Sequence, residues 1–357
     1  MSTANKQDLT FENKFQSSIY LSIKDYVNFT NMSNNTSAIS MINQVKKVTL
    51  APMEGVADVL MRNLLTSINC YDLCITEFVR VVDRLVPTHI FHKISPELKR
   101  GGFTYNNTPT RVQLLGQEPH WMAENAIKAI ELGSQGVDLN FGCPAKTVNK
   151  SKGGAALLKT PETIYQIVKN VKDAIPSDQT LSAKIRLGFD DASLLDEIVS
   201  AITSANANQL TIHARTKRDG YNPPAYWHHI GEISDKYDIE LFANGEIWSL
   251  SDAKQCMEEA KTANIMLGRG ALATPNLANV VKEKEAKMSW HTLSLLFQHY
   301  AQLELQGDKS FYFSSRLKQW LRYLKLQYPQ AELLFSAIKL MKNKEEILKE
   351  VGKSLSY

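Results

Sequence analysis

The string Asn140-Phe141-Gly142-Cys143-Pro144 holds a thiol between a glycine and a proline, immediately after a short apolar run. A cysteine on so tight a turn is either a small buried apolar residue or a reactive thiol, and the residue types alone weigh the two about equally. Lys146 follows, then SKGGAALLK (151–159), a glycine-containing stretch that reads as a flexible loop able to close over a ligand, or simply as a loop.

A second set of polar residues interrupts apolar runs further along. Lys184 and Arg186 lie in LSAKIRLG (181–188), and His213 and Arg215 lie in QLTIHAR (209–215). A buried charge costs free energy unless it is paired or bound. One such interruption is explained by a structural ion pair, whereas several at the same end of successive runs favour an anionic ligand. The next two runs end in Asn244-Gly245-Glu246 and Gly268-Arg269-Gly270. Glycine lets backbone N–H groups come close to a ligand, and arginine can fork onto phosphate oxygens. Pro52, Met53 and Glu54 close the first run, and Gln113 in the third offers both a donor and an acceptor. Each could be core packing; together they describe a flat, phosphate-bearing heterocycle beside a thiol. FMN has that form.

Elements of regular length must carry these residues. Apolar runs at 48–53, 71–78, 111–116, 136–142, 181–188, 209–215, 239–245 and 264–270 alternate with stretches of helical period such as 120–133 and 161–175. Runs apolar nearly throughout are what parallel strands buried on both faces require. Eight of them between residues 46 and 280 predict an α/β fold of the (β/α)8 TIM-barrel type. Strand number alone leaves a doubly wound sheet open. The barrel is preferred because polar or glycine-rich chemistry closes every run, and barrel active sites sit at those strand ends.

After Asn276 the strand-like runs stop, and the spacing predicts a small helical domain over 281–357. That segment carries 13 Lys and Arg against 8 Asp and Glu, while the rest of the chain is near neutral. A polyanionic partner would explain the asymmetry. A solvated helical surface explains it too, and on charge alone is the preferred explanation. Residues 1–45 are rich in Ser, Asn, Thr and Lys, have little to bury, and are expected to be disordered or loosely attached; Met41 stands where an alternative start would fall.

The whole chain, 357 residues with 43% hydrophobic and 22% charged, suits one barrel and a smaller domain. Its four cysteines show no paired metal-ligand spacing, so no metal is expected, and free thiols suit a reducing cytoplasm. No apolar run long enough for a membrane span and no secretory leader are found, so no membrane partner is expected.

LAPMEGVAD, ITEFVR, VQLLGQ, DLNFGCPAKTVNKSKGGAALLK, KIRLGF, HARTKRDGY, ANGEI and GRGAL resemble the tRNA-dihydrouridine synthases over residues 48–350. Within that family the chain is most similar to the bacterial C-type, which acts on uridine 16, through ITEFVRVVD, GYNPPAYWHHIG and SSRLKQWLRYL. The resemblance implies FMN contacts at Pro52, Met53, Glu54, Gln113, Lys184, His213, Asn244, Gly245, Glu246, Gly268 and Arg269, with NADPH as reductant. It implies Cys143 as proton donor, and tRNA contacts at Arg80, Asn140, Arg186, Tyr221, Arg316, Lys318, Tyr323 and Lys339, with Arg316 and Lys318 gripping phosphates together. Phe141 departs from the family pattern, and the N-terminal extension has no counterpart in it. A monomer is expected of an enzyme that encloses a large RNA.

Overall fold

The structure, a computed structural model, describes residues 44–150, 153–304 and 312–356, so nearly all of the 1–45 extension lies outside the described residues. Eight strands, β1 (Lys47–Leu50), β2 (Leu73–Arg80), β3 (Thr110–Leu115), β4 (Val137–Asn140), β5 (Leu181–Arg186), β6 (Gln209–His213), β7 (Glu240–Asn244) and β8 (Asn264–Leu267), form one closed barrel. Each pairs in parallel with the next, and β8 returns to β1 with Val48 opposite Ile265. That last pairing decides for the TIM barrel over a doubly wound sheet.

The strands are less uniform than their sequences imply. One face of each is apolar: Val48, Leu50, Val112, Leu114, Val137, Leu139, Ala183, Ile185, Leu210 and Ile212 join the large core shared with the helices. The residues between them, Arg111, Gln113, Asp138, Ser182, Lys184 and Gln209, point into the lumen, where hydrogen bonds join strands that are not sheet neighbours, as from Arg111 on β3 to Gln209 on β6 (2.7 Å). The lumen keeps only a small apolar cluster of Ala51, Ile75 and Met266. Burial on both faces is therefore real, but only the outer face is driven by the hydrophobic effect. The inner face is stabilised by polar pairing, without which each buried group would cost ~1–3 kcal/mol.

The helices follow ordinary rules. Helix Pro161–Ala174 starts with proline, whose missing N–H is not needed there, and buries Ile164, Ile167, Val168 and Val171 as a single stripe. Helix Val59–Ser67 is capped by Asp58, whose Oδ1 accepts from the Met61 N–H at 3.0 Å. Beyond β8 the helices Trp290–Glu304, Tyr312–Leu324, Pro329–Ile338 and Lys344–Lys353 pack around an aromatic cluster in which Trp320 meets Phe297 and Tyr300 edge to face. The Trp320 indole N–H also donates to the Leu272 carbonyl at 2.9 Å, fastening this helical part to the segment that follows β8.

Candidate active site at the barrel mouth

Cys143 sits three residues past the end of β4, half-buried, on a turn that its neighbours hold from several sides. Asn140 Oδ1 accepts from the backbone N–H of Gly142 (3.0 Å) and of Cys143 (2.9 Å), while Asn140 Nδ2 donates to Gln113 Oε1 (2.7 Å). Arg186 Nε donates to the Gly142 carbonyl at 2.9 Å. The following segment is not an open loop: Gly154–Lys159 is a single-turn helix whose Ala155 N–H bonds the Cys143 carbonyl at 3.1 Å. Gly154 has φ +58°, and a side chain there would meet Val148 and Cys143, so this close return depends on glycine. Burial pushes the Cys143 thiol above its ordinary value; Glu54 adds to the rise, and Arg186 and Arg80 oppose it. A thiol so placed keeps its proton at neutral pH and can donate it. Phe141, the departure from the family pattern, points into the core and is fully buried.

On β5 to β8 the mouth is cationic. Lys184 Nζ donates to Asn244 Oδ1 at 3.1 Å, and burial, then Arg186, holds its ammonium down to about 8. His213 is pushed well below its usual range by burial and then by Arg186, Lys184, Arg215 and Arg269, so it is neutral at pH 7. The carboxylate of Glu246 stands between Arg215 (2.7 Å) and Arg269 (2.9 Å) and takes the Trp248 indole N–H at 3.1 Å. Gly245, at φ +118°, packs against His213, where a Cβ would lie 2.9 Å from the ring. Arg215 is fully buried, yet its Nη1 has no hydrogen-bond partner among the described residues. A buried cluster with more cations than carboxylates and an orphaned guanidinium nitrogen is chemically suited to an anionic group, and the residues expected to hold FMN meet that test.

The β1 end completes the mouth. Pro52 and Met53 are half-buried and Glu54 is exposed, and the Gly55 N–H is taken by Glu77 at 2.5 Å. The Gly55 carbonyl accepts from Arg316 and, at 3.0 Å, from Gln319. Gly268 lies beside Met53, within ordinary contact of its sulfur.

The residues expected to touch tRNA fall into two groups. Asn140, Arg186, Tyr221, Arg80 and Tyr323 gather at the mouth: the Tyr221 ring lies 5.2 Å from the Arg186 guanidinium and 4.8 Å from that of Arg269, Arg80 acts on the Cys143 thiol, and Tyr323 feels Tyr221 and Arg269 from the helical part. Lys318 and Lys339 lie on the C-terminal helices instead, Lys318 donating to the Met341 carbonyl and Lys339 exposed. Arg316 belongs to neither group. Its guanidinium pairs with Asp58 at 2.8 Å and bonds Tyr312 at 2.8 Å, so it fastens helix Tyr312–Leu324 to the β1 loop. Two positions apart on one helix, Arg316 and Lys318 face opposite sides and do not form the joint grip expected of them.

Asp138, Glu77, Asp58 and Tyr312 were not singled out in the sequence. Asp138 interrupts the run GVDLNFG as Lys184 interrupts its own, so the same rule would have found it. Asp58 and Tyr312 are 254 residues apart and carried no sequence signal that could join them.

A closed parallel barrel whose mouth sets a held, protonated thiol against a neutral histidine and a cationic shelf defines a barrel enzyme built for an anionic planar cofactor. The chain belongs to the dihydrouridine synthase family, whose model, described as dihydrouridine synthase (Dus), matches residues 49–355. It is 54% identical over 303 residues to the tRNA-dihydrouridine(16) synthase of Shewanella oneidensis, covering 85% of this chain and 96% of that one. The tRNA-dihydrouridine(16) synthases of Vibrio cholerae (52% identical; 85% of this chain, 95% of that one) and Escherichia coli (50%; 85% and 97%) are similar over the same extent.

Proposed function

We propose that this protein reduces the C5–C6 double bond of uridine 16 in the tRNA D-loop to dihydrouridine, with FMN as bound cofactor and NADPH as reductant. The observation that carries the reading is the Cys143 turn: a half-buried thiol, kept protonated by its surroundings, at the mouth of a barrel with a cationic shelf opposite. Family membership and the three relatives' shared name support the substrate and position.

Bound FMN, reduced by NADPH, supplies the hydride that reaches uridine C6. Pro52, Met53, Glu54, Gln113, Lys184, His213, Asn244, Gly245, Glu246, Gly268 and Arg269 are the residues that would hold it. Cys143 gives its proton to C5 and recovers one from solvent, a task that suits a thiol whose ordinary pKa of ~8.5 is raised further here. Lys184 supplies positive charge against the electron-rich reduced ring. Arg269 supplies a fork for phosphate, and Glu246 keeps it in place from 2.9 Å. The base must leave its stack to reach the thiol. Asn140, Arg186, Tyr221 and Arg80 are placed to receive it, with Tyr323, Lys318 and Lys339 serving the flanking RNA. Arg316, occupied by Asp58, contributes mainly by fixing the helical part against the β1 loop. The protein would work as a monomer in the cytoplasm, where its four free thiols stay reduced. Among the described residues no helix is long and apolar enough to cross a membrane.

The test is to purify the protein, record its visible spectrum, incubate it with NADPH and tRNA lacking dihydrouridine, and map the product by position. A yellow protein that places dihydrouridine at position 16 is the expected result. Product at another D-loop site would overturn the position, and a yellow protein inert on every tRNA would overturn the substrate.

A further inference from the structure

One carboxylate inside the barrel takes no direct part in the chemistry above. Asp138, on β4, is 1% exposed and has no direct ion pair among the described residues. Its Oδ1 accepts from the Ser182 hydroxyl at 2.5 Å, and its Oδ2 accepts from Gln113 Nε2 at 2.7 Å. From there the bonds run only one way. An ionised carboxylate accepts and never donates, so Gln113 must turn its NH2 toward Asp138 and its carbonyl toward Asn140. Asn140 must then meet that carbonyl with its own NH2 (2.7 Å), which leaves Oδ1 to take the N–H groups of Gly142 and Cys143. Below Asp138 the line continues to the barrel floor: Arg111 donates to Ser182 (3.0 Å) and Gln209 (2.7 Å), Gln209 to Glu240 (2.7 Å), and Lys47 to Glu240 (2.6 Å).

We propose that Asp138 is a positioning residue for the reaction: its carboxylate fixes the sense of the Gln113 and Asn140 amides, and through them the turn that carries Cys143. An amide side chain is nearly symmetric in shape, so packing alone does not choose its orientation. Here an acceptor-only group at one end and two backbone donors at the other make a single sense compatible with every bond. Burial makes the choice strict, because a reversed amide would leave unmatched polar atoms where water cannot reach them. The relay also sets which atoms Gln113 and Asn140 turn toward the mouth.

This rests on the reading of Cys143 as proton donor, and the test separates the two. Asp138→Asn keeps the size and offers a donor in place of one acceptor, so both senses of the relay become available. In the flavin-loaded variant kcat for dihydrouridine formation should fall roughly tenfold, the factor separating a charged from a neutral hydrogen bond in holding one orientation. KM for tRNA and flavin content should stay as in the wild type. Alkylation of Cys143 by iodoacetamide, followed by mass spectrometry across pH against a Cys143→Ala blank, should become several-fold faster, because a released turn exposes the thiol. A purely structural role would lower thermal stability without changing Cys143 reactivity in the folded protein. Should Asp138→Asn not fold because Arg111 loses its nearest carboxylates, the pair Asp138→Asn with Arg111→Met removes both charges together and carries the same expectations. Wild-type kcat with a wild-type alkylation profile overturns the relay. Full activity in Cys143→Ala overturns the proton-donor reading instead, and the alkylation profile still decides whether Asp138 holds the turn.

Discussion

The two sides of the barrel mouth are built on different principles. From β3 to β5 the mouth is a line of amides, hydroxyls and backbone groups whose hydrogen bonds run in one sense and end at Cys143. From β6 to β8, with Lys184 reaching over from β5, it is a cluster of cations around Glu246 that keeps His213 neutral. The first side works through direction, and a hydrogen bond of the wrong sense would spoil it. The second works through charge, tolerates approximate geometry, and is suited to a ligand that brings negative charge of its own. A proton to be delivered to one carbon needs the former; an anionic cofactor to be retained needs the latter.

Substitutions on each side should therefore fail in different ways. The largest effect is expected at Cys143→Ala: dihydrouridine formation, mapped on tRNA, should fall by about 100-fold or more while the bound flavin keeps its visible spectrum. Unchanged turnover would remove the thiol from the chemistry. Arg269→Ala should act on the opposite side alone, weakening flavin affinity by roughly 10- to 100-fold in a fluorescence titration. Cys143 alkylation in that variant should match the wild type; if it changes too, the two sides are coupled and the contrast drawn above is too sharp.

Lys184 gives a pH signature of the charged side. Its folded value, about 8, lies below its ordinary 10.5, so the unfolded chain binds more protons between these limits. Stability of the flavin-free protein should thus rise across that window as the buried ammonium is relieved of its charge. Lys184→Met should be the more stable protein at pH 7, with its lead shrinking as pH approaches 10.5. A gap independent of pH would mean that Lys184 is not held down by burial. The smallest effect belongs far from the mouth: Lys339→Ala should reduce the slope of log affinity for tRNA against log salt by about 1, with kcat unaltered. No change in slope would take Lys339 out of the RNA interface.

The alternation of apolar runs and helical stretches determined the barrel's elements, because outward-facing strand residues must be apolar wherever they meet helices. The glycine, arginine and lysine positions that close the runs were legible for the same reason: a polar residue inside a buried run asks for a partner. Sequence also determined that Cys143 stands on a tight turn past a strand end, between glycine and proline. It left the thiol's role undecided between packing and reactivity, and it gave Arg316 and Lys318 a joint role that the helix denies them, since residues two apart point away from each other. Closure of β8 onto β1, the meeting of Arg316 with Asp58, and the line from Asp138 to Cys143 were decided by tertiary structure alone. Each is a relation between residues far apart in the chain or across the barrel lumen. Local sequence carries period and polarity, whereas the sense of a hydrogen bond and the partner of a charge exist only once the barrel brings both ends together.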